Sequence, residues 1–194
     1  MKKIHLRDII LIALIAIIFA LIYVTSDNIY NFLTLVLTPI GYGPMANDIT
    51  MGIWCMAGPI AGFLVRLPGS AFLGEFLGAA LETFMMAQWG VANLISGLIQ
   101  GIGNELGFTL TGYKIYNTFT LFLSATTTTI VTYIYDFFKN GYNQYPLYKM
   151  VIYFGVRWIS MIIFCCILVK LIIKNIKIFL KNSPFKLSRR VFLY

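Results

Sequence analysis

Apolar positions run almost unbroken from Ile9 to Val24 and recur in five later stretches, each closed by glycine, proline or a charged residue. A helix needs about 20 mainly apolar residues to cross a bilayer. The pattern therefore predicts six spans, at about 9–25, 49–65, 69–87, 91–112, 117–138 and 149–173. The segment 26–48 is partly apolar but rich in Gly and Pro, and is expected to form a loop or re-entrant cap. The first stretch follows a basic start, as a signal peptide does. Its length and the lack of a clear small-x-small cleavage site mark it as a span instead. The expected fold class is an all-α integral membrane protein, a six-transmembrane-helix bundle. It forms a single membrane domain over 1–194, with a basic cytoplasmic tail at 174–194.

Composition points the same way. Only 11% of the 194 residues are charged and 59% are hydrophobic, against roughly 25% charged in a typical soluble domain. Six spans leave no room for a soluble catalytic domain. Sidedness follows from the basic residues. With the N-terminus in the cytoplasm, Lys2, Lys3, Arg7, Arg66, Lys114 and the tail from Lys170 to Arg190 lie inside, twelve of fifteen basic residues. The positive-inside rule thus places both termini in the cytoplasm. The net charge of +8 comes largely from that asymmetry, and the tail is expected against anionic lipid headgroups. No basic surface domain exists to present charge to nucleic acid. Cys55, Cys165 and Cys166 fall in apolar stretches with no regular spacing and read as small buried residues.

Against this background the polar residues inside the spans stand out, because a charge in hydrocarbon is costly unless it faces a cavity or a partner. Glu75 and Glu82 lie two turns apart on nearly one face of span 3, and Gln100 and Asn104 share a face of span 4. The two spans join at an outer hairpin, AQWG. Counting about 1.5 Å per residue from it, Glu82 lies roughly 7 Å down, Gln100 about 13 Å, and Glu75 and Asn104 close to 20 Å. Such a ladder suits a cavity that opens outward. Arg157 is the only basic residue deep in a span, and Glu105 or Glu75 is its expected ion-pair partner. At least one carboxylate is left for a cationic ligand. Trp89 sits over the ladder, and the outer end of span 5 adds Tyr133 and Asp136, so aromatic faces and a further acid complete the candidate site. The other outer tyrosines read as an interfacial belt.

Small residues recur four apart at Gly58/Gly62, Gly74/Gly78 and Gly97/Gly101, a spacing that lets helices approach closely. Ala13, Ala16 and Ala20 line span 1 in the same way and could dock a separate membrane subunit. Several enzyme classes are excluded. The single histidine, His5, lies at the N-terminus, so no intramembrane zinc site or Ser–His dyad can form. No phosphate-binding GxxxxGK[ST] loop is present, and neither a cofactor nor a metal is expected.

The stretches VRLPGSAFLGEFLGAALE, QWG, GLIQGIGNELGF and YDFFKNGY resemble the YkoE-type substrate-binding S components of energy-coupling-factor (ECF) vitamin transporters. That family is associated with thiamine and its hydroxymethylpyrimidine precursor. The resemblance implies six helices, an outward-opening site, and assembly with a transmembrane coupling subunit and two ATPase subunits. It also implies that Ala16 and Ala20 belong to the surface that meets the coupling subunit. Asn104 departs from the family pattern, where a small residue is usual, and its amide could retune the pocket. The reading is a subunit that captures thiamine or a related pyrimidine, through Glu75 or Glu82 for charge, Gln100 and Asn104 for the ring edge, and Trp89 for stacking. Two alternatives stay open: an S component for another vitamin such as riboflavin, and a proton-coupled carrier or enzyme using Glu75 and Glu82.

Overall fold

A computed structural model describes residues 4–85 and 88–182. It contains only helices and their connections among those residues. The helices are α1 (Leu6–Leu37), α2 (Met45–Trp54), α3 (Ala57–Val65), α4 (Ser70–Phe84), α5 (Ala92–Leu110), α6 (Thr118–Lys139), α7 (Leu147–Met161) and α8 (Val169–Asn182), with a π-helical stretch, Ile162–Leu168, between the last two. Among the described residues three stretches, Leu6–Ile40, Met45–Val65 and Leu147–Phe179, are long and apolar enough to cross a membrane. Their outward faces are greasy: Ile10, Leu14, Ile17, Ile18 and Leu21 of α1 are all exposed. In water such a stripe would be a liability. In lipid it is the ordinary exterior.

Two expected boundaries are corrected. Residues 26–37 are not a loop but the upper part of α1, which runs for 32 residues before Pro39 and Gly41 (φ +79°) end it. Ser26 and Thr34 satisfy their hydroxyls on carbonyls four residues back, so polar residues do not break the helix. The second predicted span is broken at Cys55–Met56 into α2 and α3. At the chain's end, helix continues through the first part of the expected basic tail to Asn182; residues 183–194 lie outside the described ones.

Small residues build the interior, as their spacing suggests. A side chain at Gly97 would collide with Ala79 of α4, and one at Gly107 would fall on the backbone of Ser124 in α6. Gly107→Ala is therefore expected to force α5 and α6 apart and to cost at least about 1–3 kcal/mol. Gly155→Ala, in a helix with nothing within 4 Å, should be neutral or stabilising by under about 1 kcal/mol. Thermal unfolding of the two variants in detergent checks this; equal midpoints would refute the close approach.

The alanine stripe is also corrected. Ala16 and Ala20 are fully buried within the chain's own bundle, where α1 packs on α4, and only Ala13 is exposed. A smooth stripe serves close packing equally well inside a bundle or between subunits, and here it is used inside.

Candidate substrate site

The three membrane glutamates have three different fates, decided by where helices start. The first four N–H groups of a helix lack intrahelical partners and attract negative charge. Glu105 supplies it for α4: its carboxylate accepts from Gly69 N (2.6 Å), Phe72 N (3.0 Å) and the Tyr113 hydroxyl (2.6 Å). Gly69 makes this possible by adopting φ +84°, which costs glycine nothing. Glu105 is thus a helix cap, and its expected pairing with Arg157 is corrected.

Glu75 does the same for the broken helix. The break leaves Ala57 N and Gly58 N without carbonyl partners. The Tyr23 hydroxyl accepts from Ala57 N (3.0 Å) and donates to Glu75 (2.9 Å), while Gly58 N donates to the other Glu75 oxygen (2.8 Å). Asn104 adds a third donor to Glu75 at 3.2 Å and also donates to the stranded carbonyl of Cys55 (3.3 Å). Its own side-chain oxygen accepts from Thr128 (2.8 Å). Both Glu75 and Asn104 are fully buried. They form a closed hydrogen-bonded floor, with no atom presented to a ligand.

Glu82 is the exception. A cavity of about 450 Å³ lies above that floor, walled by the upper part of α1, by α2, by the α4–α5 turn and by the facing ends of α5 and α6. That volume lies within the range of small-molecule sites, about 300–1,000 Å³. Glu82, Trp89, Gln100 and Asp136 all line it. One Glu82 oxygen accepts from Asn93 (2.7 Å); the other has no hydrogen-bond donor among the described residues. Among the described residues Gln100 makes only a long contact to the Met51 sulfur (3.7 Å), and its amide oxygen has no donor there. Beside these two acceptors stand Tyr30, Trp54 and Trp89, with ring centroids 4.9–6.1 Å apart. Asp27 holds Trp89 in place by accepting from its indole N–H (3.1 Å).

Asp136 also faces the cavity, but its carboxylate is occupied. It accepts from Asn47 (2.9 Å), Asn140 (2.8 Å) and Arg157 (2.5 Å). Arg157 is buried completely and bridges Asp136 to Asp48, 2.6 Å away on α2. Its guanidinium also lies over the rings of Tyr133 and Tyr142. The partners of Arg157 are therefore aspartates and not Glu105 or Glu75. Tyr133 stays outside the cavity lining and donates its hydroxyl to Met150 O (2.7 Å).

Asp48 and Asp27 escape a sequence reading that treats 26–48 as loop. Asn93 does carry a signal, because it precedes Gln100 by seven residues and so shares its face on α5.

The fold and site have recognisable relatives. Residues 7–131 match the family described as "ABC-type cobalt transport system, permease component". Among the described residues no three His, Cys, Asp or Glu side chains are grouped to hold a metal ion. The "Putative HMP/thiamine permease protein YkoE" of Bacillus subtilis (strain 168) is 31% identical over 160 residues, covering 82% of this chain and 78% of the relative. A crystal structure of an S-component of an ECF transporter superposes with a TM-score of 0.85 at 27% identity, covering 91% of this chain and 87% of that one. These relatives are transport components, not enzymes. The chain accordingly belongs to this membrane permease-component family, among the YkoE-type S components of ECF transporters.

Proposed function

We propose that the chain captures thiamine or its hydroxymethylpyrimidine precursor outside the cell and hands it on for ATP-driven uptake. In this reading the chain is one membrane domain, and its rods cross the bacterial plasma membrane six times with both termini in the cytoplasm. It works with an ECF transmembrane coupling subunit and two ATPase subunits. The observation that carries the ligand assignment is the unshared Glu82 oxygen beside the open Gln100 carbonyl and the Tyr30–Trp54–Trp89 wall. An aminopyrimidine offers amino hydrogens to such acceptors and a flat ring to the aromatic side chains. The thiazolium of thiamine adds a permanent positive charge, which a carboxylate without a cation partner and nearby π-faces attract.

A tryptophan-fluorescence titration of the purified chain tests this directly, because Trp54 and Trp89 line the cavity. Saturable quenching by thiamine or hydroxymethylpyrimidine is expected, with riboflavin inert. Quenching by riboflavin alone would transfer the site to a neutral flavin. A proton-coupled carrier using Glu75 and Glu82 as a pair has less support, since Glu75 is closed off by three donors.

A further inference from the structure

The outer flank of α5 and α6 carries a second, open concavity of about 600 Å³. Its walls are Ile99 of α5 and Val131, Ile134, Tyr135 and Phe138 of α6, with Lys139 at one end. The four α6 residues follow an i, i+3, i+4, i+7 spacing and make one continuous apolar stripe about 10 Å long. Lys139 closes the stripe at the level of the cavity mouth, with its ammonium 3.1 Å from the Ser96 hydroxyl and over the Tyr135 ring. A trough with a greasy floor and one cationic end is complementary to an amphiphile of opposite charge. An ammonium and a phosphate attract each other more strongly beside hydrocarbon than in bulk water, because the effective dielectric is lower there.

We infer that this groove holds one anionic glycerophospholipid, its phosphate on Lys139 and an acyl chain along Val131, Ile134 and Phe138. The lipid is part of the substrate site's construction. Ile99, Tyr135 and Lys139 line the groove and the cavity alike, so the partition between them is a single layer of side chains. An occupied groove fixes Tyr135 and Lys139; an empty one leaves the cavity wall without backing. Lipid retention does not depend on the identity of the transported ligand, whereas the effect on ligand affinity rests on the proposed function.

The test is native mass spectrometry of the full chain after exchange into mild detergent with phosphatidylglycerol, phosphatidylcholine or phosphate-free diacylglycerol. About one phosphatidylglycerol per chain is expected to survive exchange, and diacylglycerol none. Lys139→Gln removes the charge and Ile134→Trp fills the trough; each should cut retention about tenfold, while Lys139→Arg keeps it. The two variants alter the middle and the cationic end of the groove on an exposed face, so either one alone decides the question. Retention unchanged in Lys139→Gln or in Ile134→Trp, or retention of phosphatidylcholine or diacylglycerol equal to that of phosphatidylglycerol, would overturn the assignment. A second readout is thiamine quenching, expected to weaken several-fold in lipid-stripped protein and to return with phosphatidylglycerol. Lipid retention without that change would leave the lipid site standing and remove its link to the cavity.

Discussion

Arg157→Met is expected to be the most destabilising single change in the bundle. Arg157, Asp48 and Asp136 are all buried, and one guanidinium serves both carboxylates at 2.5–2.6 Å. Removing it strands two negative charges in a poorly solvating interior. Breaking a buried ion pair from one side typically costs about 3–5 kcal/mol, and for a chain of this size that lowers the unfolding midpoint by on the order of 10 °C. The damage should also reach the ligand site, because Asp136 orients Asn47 and Asn140 on the cavity wall. The triple variant Arg157→Met, Asp48→Asn, Asp136→Asn removes the stranded charges together and should recover much of the loss. Detergent-solubilised variants compared by thermal unfolding give the answer. A single variant as stable as the parent would mean that the carboxylates are not held by Arg157.

Glu82→Gln is expected to lower affinity for thiamine by between about 10- and 100-fold with little effect on folding. The glutamine keeps an oxygen for Asn93 and keeps the shape, so only the charge at the cavity wall is lost. A charge-assisted hydrogen bond contributes about 1.5–3 kcal/mol, and each 1.4 kcal/mol is about a factor of ten in affinity. Neutral hydroxymethylpyrimidine should lose less than thiamine, since it lacks the permanent cation. Glu75→Gln is the contrasting variant. Its amide group would face one of three donors, Tyr23, Gly58 N or Asn104, and destabilise the α2–α3 junction by about 1–3 kcal/mol. Affinity in the folded fraction should not change. Fluorescence titration and unfolding on both variants separate the two roles. If Glu75→Gln loses affinity at full stability, the carboxylate assignments must be exchanged.

Much of the architecture is legible in order and period alone. Apolar runs locate the rods, and small residues four apart locate the faces that pack, because both depend on residues close together in sequence. The same locality sets the limits. Helical geometry over Glu75, Glu82, Gln100 and Asn104 predicts which residues share a face and a depth, and Glu75 does meet Asn104. It does not reveal what each face meets. The break at Cys55–Met56 does have a local cause in Pro59, which offers no N–H to the Cys55 carbonyl four residues back and crowds it, but nothing local says that the amides stranded there claim Glu75. Glu105 is claimed by a helix start 36 residues earlier in the chain. Arg157 chooses Asp48 from 109 residues away.

Sequence by itself determined that this chain is an all-helical membrane protein of the S-component type with a few costly polar side chains inside. Tertiary structure alone decided which of those side chains remain open. A carboxylate's role depends on how many donors surround it, and those donors come from distant helix ends whose positions only packing sets. Two of the glutamates are consumed as caps, two aspartates by Arg157, and Glu82 keeps one oxygen without a donor among the described residues, over a cavity walled by aromatic rings.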